Sequence, residues 1–187
     1  MEVIETVLPE IKIVVPRSID DARGSFSETW NARRFASIGI DAAFVQDNEV
    51  HNRRRGTVRG LHYQIPPIAQ GKLLRVTRGA VFDVVVDIRR GSPRFGRRAE
   101  STLSAENRSQ IWIPPGFAHG YCTLEDDTEL QYKVTENYSP EHERGIAWND
   151  PEIAIAWPVA MHDAVLSDRD RNLPRMSDQR DLFEYRP

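Results

Sequence analysis

A histidine held between fixed cations is the part of this chain best suited to chemistry. In Val58-Arg59-Gly60-Leu61-His62-Tyr63-Gln64, followed ten residues after the histidine by Lys72, a group that titrates near neutrality stands between Arg59 and Lys72. That arrangement suits taking a proton from carbon on a substrate that is itself anionic, since the cations hold the substrate while the imidazole acts as base. Gly60 and Gly71 read as tight-turn glycines around it. A second run, Trp112-Ile113-Pro114-Pro115-Gly116-Phe117-Ala118-His119-Gly120, repeats the theme. There Pro and Gly build a turn, and His119 points inward at the start of the next strand. Taken alone, a single histidine in a β-protein is more often a hydrogen-bonded structural residue than a base.

The elements that must position these residues are mostly strands. Lys12 to Val15 is a short apolar run closed by Pro16. Lys72 to Thr77 and Ala80 to Ile88 are β-branched runs joined at Arg78-Gly79, which predicts a hairpin. In the second of these, Val81, Asp83, Val85 and Asp87 share one face and Phe82, Val84, Val86 and Ile88 the other, a period of two with one strictly apolar side. Ile111 to Ile113, Gly120 to Leu124 and Glu129 to Thr135 continue the pattern, and Ile153 to Trp157 reads as a late strand ended by Pro158. Asn31 to Ile38 predicts one short helix stopped by Gly39, and Ser104 to Asn107 a single turn. About ten short strands with regular turn signals indicate an all-β sandwich or barrel with a few short peripheral helices. The tail after Leu173, about 174–187, is expected to be partly mobile or laid against a partner subunit.

Composition bounds the function. The 187 residues predict one domain with its own core. A net charge of −3 argues against non-specific nucleic-acid binding, and Arg53-Arg54-Arg55 reads as a solvated surface run. The one cysteine, Cys122, excludes an internal disulfide, fits a reducing compartment and reads as a small buried hydrophobe. Neither a signal peptide nor a membrane helix is legible, so a cytoplasmic location is expected. Trp30, Trp112, Trp148 and Trp157 read as core or interface anchors rather than base-stacking platforms.

Pro114-x-Gly116-x-x-His119 resembles the second sequence motif of the cupin superfamily, whose fold is a double-stranded β-helix or jelly roll. Metal-binding cupins carry an earlier His-x-His plus a glutamate. Here that stretch is His62-Tyr63-Gln64, and His51, His142 and His162 fall in loop-like contexts, so no metal and no cofactor is expected. The resemblance sharpens to one family through an ordered set of motifs. These are Asp21-Ala22-Arg23-Gly24, Phe44-Val45-Gln46-Asp47-Asn48, Arg59 to Gln64, Ala69-Gln70-Gly71-Lys72, Val81-Phe82-Asp83-Val84, Asp87-Ile88-Arg89, Trp112 to Gly120, Tyr132-Lys133, Trp148-Asn149-Asp150 and Leu166-Ser167-Asp168-Arg169-Asp170. From Val7 to Pro174 the chain resembles the dTDP-4-dehydrorhamnose 3,5-epimerases, cofactor-free cupin-fold enzymes acting on a thymidine diphosphate 4-keto sugar.

The resemblance implies His62 as general base, Asp170 as the carboxylate orienting it, Tyr132 as the acid on the opposite sugar face, and Lys72 as the cation at the enolate oxygen. It implies substrate contacts from Arg59, His119, Gln46, Asp47, Asn48, Tyr138, Glu143 and Arg169. It also implies a homodimer, with Arg23 and Glu28 reaching the neighbouring subunit's site. On their own residue types, Tyr132 reads as core packing and Asp170 as a solvated carboxylate. Many relatives carry two adjacent aromatics where this chain has Asn137-Tyr138, which leaves open whether C3 alone or both C3 and C5 are inverted. A C3-only epimerase, a non-catalytic sugar-nucleotide-binding cupin and a metal-dependent cupin oxygenase are the competing readings.

Overall fold

A computed structural model describes residues 1–186. In chain order it forms β1 (Glu2–Glu5), β2 (Lys12–Val15), β3 (Ser18–Asp21), β4 (Gly24–Ser27), helix α1 (Ala32–Ala36) and β5 (Gln46–Asn52). Then come β6 (Val58–Gln64), β7 (Lys72–Arg78), β8 (Ala80–Asp87), β9 (Arg89–Arg90), β10 (Arg98–Ser104) and β11 (Gln110–Ile113). The chain finishes through β12 (Phe117–Thr123), β13 (Thr128–Val134), β14 (Glu143–Gly145), helix α2 (Asp168–Arg171) and β15 (Phe183–Glu184). A six-stranded sheet, in the order β1-β2-β11-β7-β13-β5, faces a five-stranded sheet, β10-β8-β12-β6-β14, and all pairings within both are antiparallel. This is a jelly roll, the fold expected from the strand pattern and the resemblance.

Three apolar layers follow from the period-two pattern. Between the sheets, Ile13, Leu74 and Ile111 of one meet Val81, Val85 and Leu103 of the other. Outside the six-stranded sheet, Val14, Leu73 and Trp112 are covered by Phe35 of α1, Ile40, Trp30 and Phe44. Outside the five-stranded sheet, Val84, Val86 and Ile88 are covered by Ile146, Ile153 and Met176. The strictly apolar side of β8 is therefore the outer one, and its inner side carries the buried Asp83 and Asp87. The four tryptophans all sit in these layers or against the Val58–Cys122–Trp148 cluster.

The structure departs from the sequence expectations at several points. β7 and β8 do not form a hairpin: β7 pairs with β11 and β13, β8 with β10 and β12. Gly79, at φ +74°, carries the chain around a corner from one sheet to the other, where a jelly roll must cross between its layers. Ile153 to Trp157 is not a strand. Asp150 Oδ1 accepts from the N–H groups of Glu152 (2.8 Å) and Ile153 (3.1 Å), turning the backbone there. Ile155 and Trp157 then serve as a cover for the five-stranded sheet. His51 lies within β5, not in a loop. The tail also docks on its own chain, with Met176 and Gln179 buried and β15 pairing in parallel with β9.

Gly60 and Gly71 are also not turn residues. A Cβ on Gly71 would lie 2.7 Å from the ring of Trp112. Gly60 sits inside β6 at φ +119°, and a Cβ there would lie 2.6 Å from Cα of Gly120 and 2.7 Å from the carbonyl oxygen of His119. At this contact the β6–β12 register slips: His62 faces His119, yet Arg59 faces Tyr121. Residues three apart point to opposite sides of a regular strand, and the bulge cancels that alternation. Gly60→Ala is expected to lower unfolding free energy by about 2–4 kcal/mol, because neighbouring backbone cannot yield and the φ is unfavourable for a side chain. Urea denaturation read by fluorescence measures it.

Candidate active site

Because of the bulge, Arg59 and His62 line one cleft between the sheets, together with His119, Tyr121, Lys72, Tyr132, Arg169 and Asp170, in a volume of about 260 Å³. An adjoining lobe of about 230 Å³ shares His62, Lys72 and Tyr132 and adds Gln46, Asn48, Gln64, Tyr138 and Glu143. His62 comes from the five-stranded sheet, and Tyr132 and Lys72 from the six-stranded one. A ligand in the cleft would thus have the imidazole on one side and the phenol on the other. A larger concavity, about 1060 Å³ beside Ile4, Phe95 and Arg98, contains none of these groups.

Each side chain has a local reason for its place. His62 Nε2 lies 2.6 Å from Asp170 Oδ1. Asp170 stands on α2, whose Ser167 hydroxyl caps the helix by accepting from the Asp170 N–H at 3.1 Å. Burial would raise the Asp170 carboxyl, but His62, the Gly60 N–H and Ser167 outweigh it and hold the carboxyl below its ordinary range. Arg59 is steered by Asn52, whose Oδ1 accepts from Arg59 Nε at 2.9 Å. Lys72 Nζ stands 3.5 Å from the backbone oxygen of His62. Burial pushes its ammonium down to about 8, against the opposing pull of Glu143 and Asp83. Burial also raises the Tyr132 phenol, partly countered by Arg59, so it keeps its proton at neutral pH.

Of the residues singled out in the sequence, the cleft gathers His62, Asp170, Tyr132, Lys72, Arg59, His119, Gln46, Asn48, Tyr138, Glu143 and Arg169. At its mouth Glu143 binds both the Tyr138 hydroxyl (2.6 Å) and the guanidinium of Arg169. Three residues lie elsewhere. Asp47 alternates outward on β5 and pairs with Lys133 at 2.9 Å on the outer face of its sheet. Arg23, at the exposed tip of the β3–β4 hairpin, pairs with Asp21, and Glu28 pairs with Arg34. Neither reaches the cleft of its own chain.

Asp83 was not among the residues assigned a role from the sequence. It is fully buried, lies 2.8 Å from His119 Nε2 and leaves its Oδ1 without a hydrogen-bond partner. The signal was present: a carboxylate between Val81 and Val85 on a core-facing side is a buried charge, which seldom occurs unpaired. The α2 turn was missed too, although Ser167-x-x-Asp170 has the spacing of a helix cap. Among the described residues no group of three or more His, Cys, Asp or Glu is placed to hold a metal ion. None of their helices is long and apolar enough to cross a membrane.

The model of the family described as dTDP-4-dehydrorhamnose 3,5-epimerase matches residues 5–178. A dTDP-4-dehydrorhamnose 3,5-epimerase from Sinorhizobium fredii (strain NBRC 101917 / NGR234) is 49% identical over 178 residues, spanning 95% of this chain and 91% of its own. The crystal structure of the Bacillus anthracis str. Ames enzyme of that name, with TDP and PPi bound, superposes with a TM-score of 0.90 at 46% identity, covering 93% of this chain and 98% of its own. The dTDP-6-deoxy-D-glucose-3,5-epimerase of Legionella pneumophila Philadelphia 1, in complex with dTDP-4-keto-L-rhamnose, superposes with a TM-score of 0.95 at 42% identity, covering 100% of this chain and 99% of its own. The chain belongs to the dTDP-4-dehydrorhamnose 3,5-epimerase family.

The depressed Lys72 carries a stability consequence. Between about 8 and 10.5 the unfolded chain holds a proton on Lys72 that the folded chain has lost, so stability rises with pH across that window. Below 8 the full penalty of burying the cation is present. Lys72→Met is therefore expected to be more stable than the parent at pH 7 by on the order of 1–3 kcal/mol, with the advantage fading toward pH 10.5. Thermal denaturation across that pH range checks it.

Proposed function

We propose that this chain is an isomerase that converts dTDP-4-dehydro-6-deoxy-D-glucose to dTDP-4-dehydro-L-rhamnose by inverting C3 and C5 of the 4-keto sugar. The observation that carries the reading is the placement of His62, on the five-stranded sheet and held by Asp170 of α2, opposite Tyr132 and Lys72 of the six-stranded sheet around a single cleft. Family membership supports the substrate class. The protein works without a cofactor.

The steps follow from the chemistry of a ketone. Protons on the two carbons flanking the C4 carbonyl are acidic because their removal gives an enolate. His62 takes one of them: the C–H bond breaks, its electron pair forms the C=C bond, and the carbonyl electrons move onto the C4 oxygen. Asp170 holds the ring nitrogen it faces and stabilises the imidazolium that results. Lys72 meets the developing negative oxygen, an interaction strongest after the charge has appeared, so it acts on the transition state. Tyr132 delivers its proton to the carbon from the other side, which inverts the centre. Solvent then takes the proton from the imidazolium and returns one to the phenolate, and repetition at the second carbon completes the reaction. A base that also returned the proton would regenerate the starting epimer.

The remaining cleft residues bind. Arg59 and Arg169 present guanidinium forks to the diphosphate, and Gln46, Asn48, Tyr138, Glu143 and His119 contact sugar and nucleoside. The protein works as a homodimer. Arg23 and Glu28 do not reach their own cleft, and exposed Phe26 and Ile19 on the same hairpin are suited to cover a partner. Asp47 faces outward, paired with Lys133. Residues 1–187 act as one domain in the cytoplasm, where the lone buried Cys122 stays reduced.

Incubation with dTDP-4-keto-6-deoxyglucose in deuterated water is expected to give a product carrying deuterium at C3 and at C5, read by mass spectrometry and NMR. Label at C3 alone identifies a C3-only epimerase, and no label identifies a binding protein. Light scattering is expected to give twice the chain mass, and a monomer contradicts the dimer.

A further inference from the structure

One C-terminal segment grips strand β6 from both faces. On the cleft face, Asp170 holds His62. The chain then passes round the β14 edge of the sheet. Leu173 packs against Gly145, the Ala147 N–H donates to Pro174 O at 2.8 Å, and the Met176 N–H donates to Asp150 Oδ2 at 2.7 Å. It arrives behind β6 at Gln179, whose side chain is buried and uses both ends of its amide. Gln179 Nε2 donates to the carbonyl of Gly145 at 2.8 Å, and Gln179 Oε1 accepts from the Tyr63 hydroxyl at 3.0 Å. Its own carbonyl accepts from Arg90 Nη2 at 2.7 Å, which fixes the segment to β9.

The two residues that Gln179 holds are the immediate neighbours of the proposed base. Tyr63 follows His62 in the chain, and Gly145 is the residue directly across from His62 in the β6–β14 ladder. His62 has one face toward the substrate cleft, so its position is set by its own strand, by β12 and β14 on either side of it, and by Asp170. Gln179 ties β6 to β14 and is continuous with the segment that carries Asp170. It lies one residue beyond the stretch matched by the family model, which ends at 178.

We propose that Gln179 is a positioning residue for the His62–Asp170 pair, clamping the back of β6 and β14 so that imidazole and carboxylate meet in working geometry. This rests on the reading of His62 as the base. Packing alone does not explain the clamp, because a buried amide with both ends bonded fixes distance and direction where an apolar side chain would only fill space. Displacements of about 1 Å at a base are enough to cost up to about a hundredfold in rate, so a loosened clamp reads out in turnover rather than in binding.

The test uses Gln179→Met, which keeps volume and removes both hydrogen bonds, and Tyr63→Phe, which removes one hydroxyl and keeps the ring. Each is made in the parent and in an Asp170→Asn background, with kcat and KM measured alongside the melting temperature. The expected result is a fall in kcat of about tenfold for Gln179→Met and about threefold for Tyr63→Phe, with KM within about twofold. In the Asp170→Asn background neither should cost more, because the geometry they protect is already lost. Should Gln179→Met fail to fold, Tyr63→Phe carries the comparison. The proposal is overturned if kcat is unchanged, if the loss appears in KM instead, or if it multiplies onto that of Asp170→Asn. An Asp170→Asn enzyme with full kcat would instead overturn the reading of the pair itself, and this proposal with it.

Discussion

The contact between Gly60 and Gly120 is the constraint on which the site depends. Two strands approach there so closely that neither residue has room for a Cβ, and the register slips by one beside it. A regular strand would send Arg59 and His62 to opposite faces. With the slip, a guanidinium suited to phosphate and an imidazole suited to proton transfer open into one cleft. The conformation is available because Gly60 tolerates φ +119°. The cost of building the site is thus concentrated at two positions that carry no chemistry.

A second constraint is the burial of charge inside a β-sandwich. Between the sheets, where Val81, Val85, Leu74 and Leu130 set an apolar environment, stand Lys72, Asp83, His119 and the Asp170–His62 pair. Asp83 is paired with His119 and Asp170 with His62, whereas Lys72, in no ion pair among the described residues, is driven toward neutrality. An enolate oxygen arriving beside Lys72 would supply the missing counter-charge at the moment it forms. Opposed sheets suit inversion for a related reason: each contributes one face of the site, so base and acid need no movement to stand on either side of a flat, planarised carbon.

Much of this was legible in the sequence, and the failures have physical causes. The positions of β2, β7, β8, β11, β12 and β13, the short α1 helix, the buried thiol and the tryptophan anchors follow from local periodicity and side-chain chemistry. Arg78-Gly79 carries a hairpin signature, yet which strand β8 joins is decided by the whole sandwich, and it crosses to the other sheet. Ile153 to Trp157 has the composition of a strand but packs its side chains onto an outer face of the sandwich, where Asp150 turns the backbone at its start. Asp170 looks solvated in its Ser/Asp/Arg-rich stretch because nothing local reveals that Leu173 and Met176 will pull the segment onto the sheet. Asp47 faces away from the cleft by the same alternation that places Asn48 in it, since neighbours on a strand cannot both face inward.

The central claim is that His62 and Tyr132 act from opposite faces of the sugar ring, and the most direct measurement separates exchange from inversion. Tyr132→Phe and His62→Asn variants are incubated with dTDP-4-keto-6-deoxyglucose in deuterated water, and the recovered sugar is examined by NMR. The expected result is that Tyr132→Phe introduces deuterium at C3 while leaving configuration unchanged, since the base still removes and returns hydrogen on its own side, whereas His62→Asn introduces none. Inversion by Tyr132→Phe at the parent rate, or deuterium uptake by His62→Asn equal to that of the parent, would contradict it.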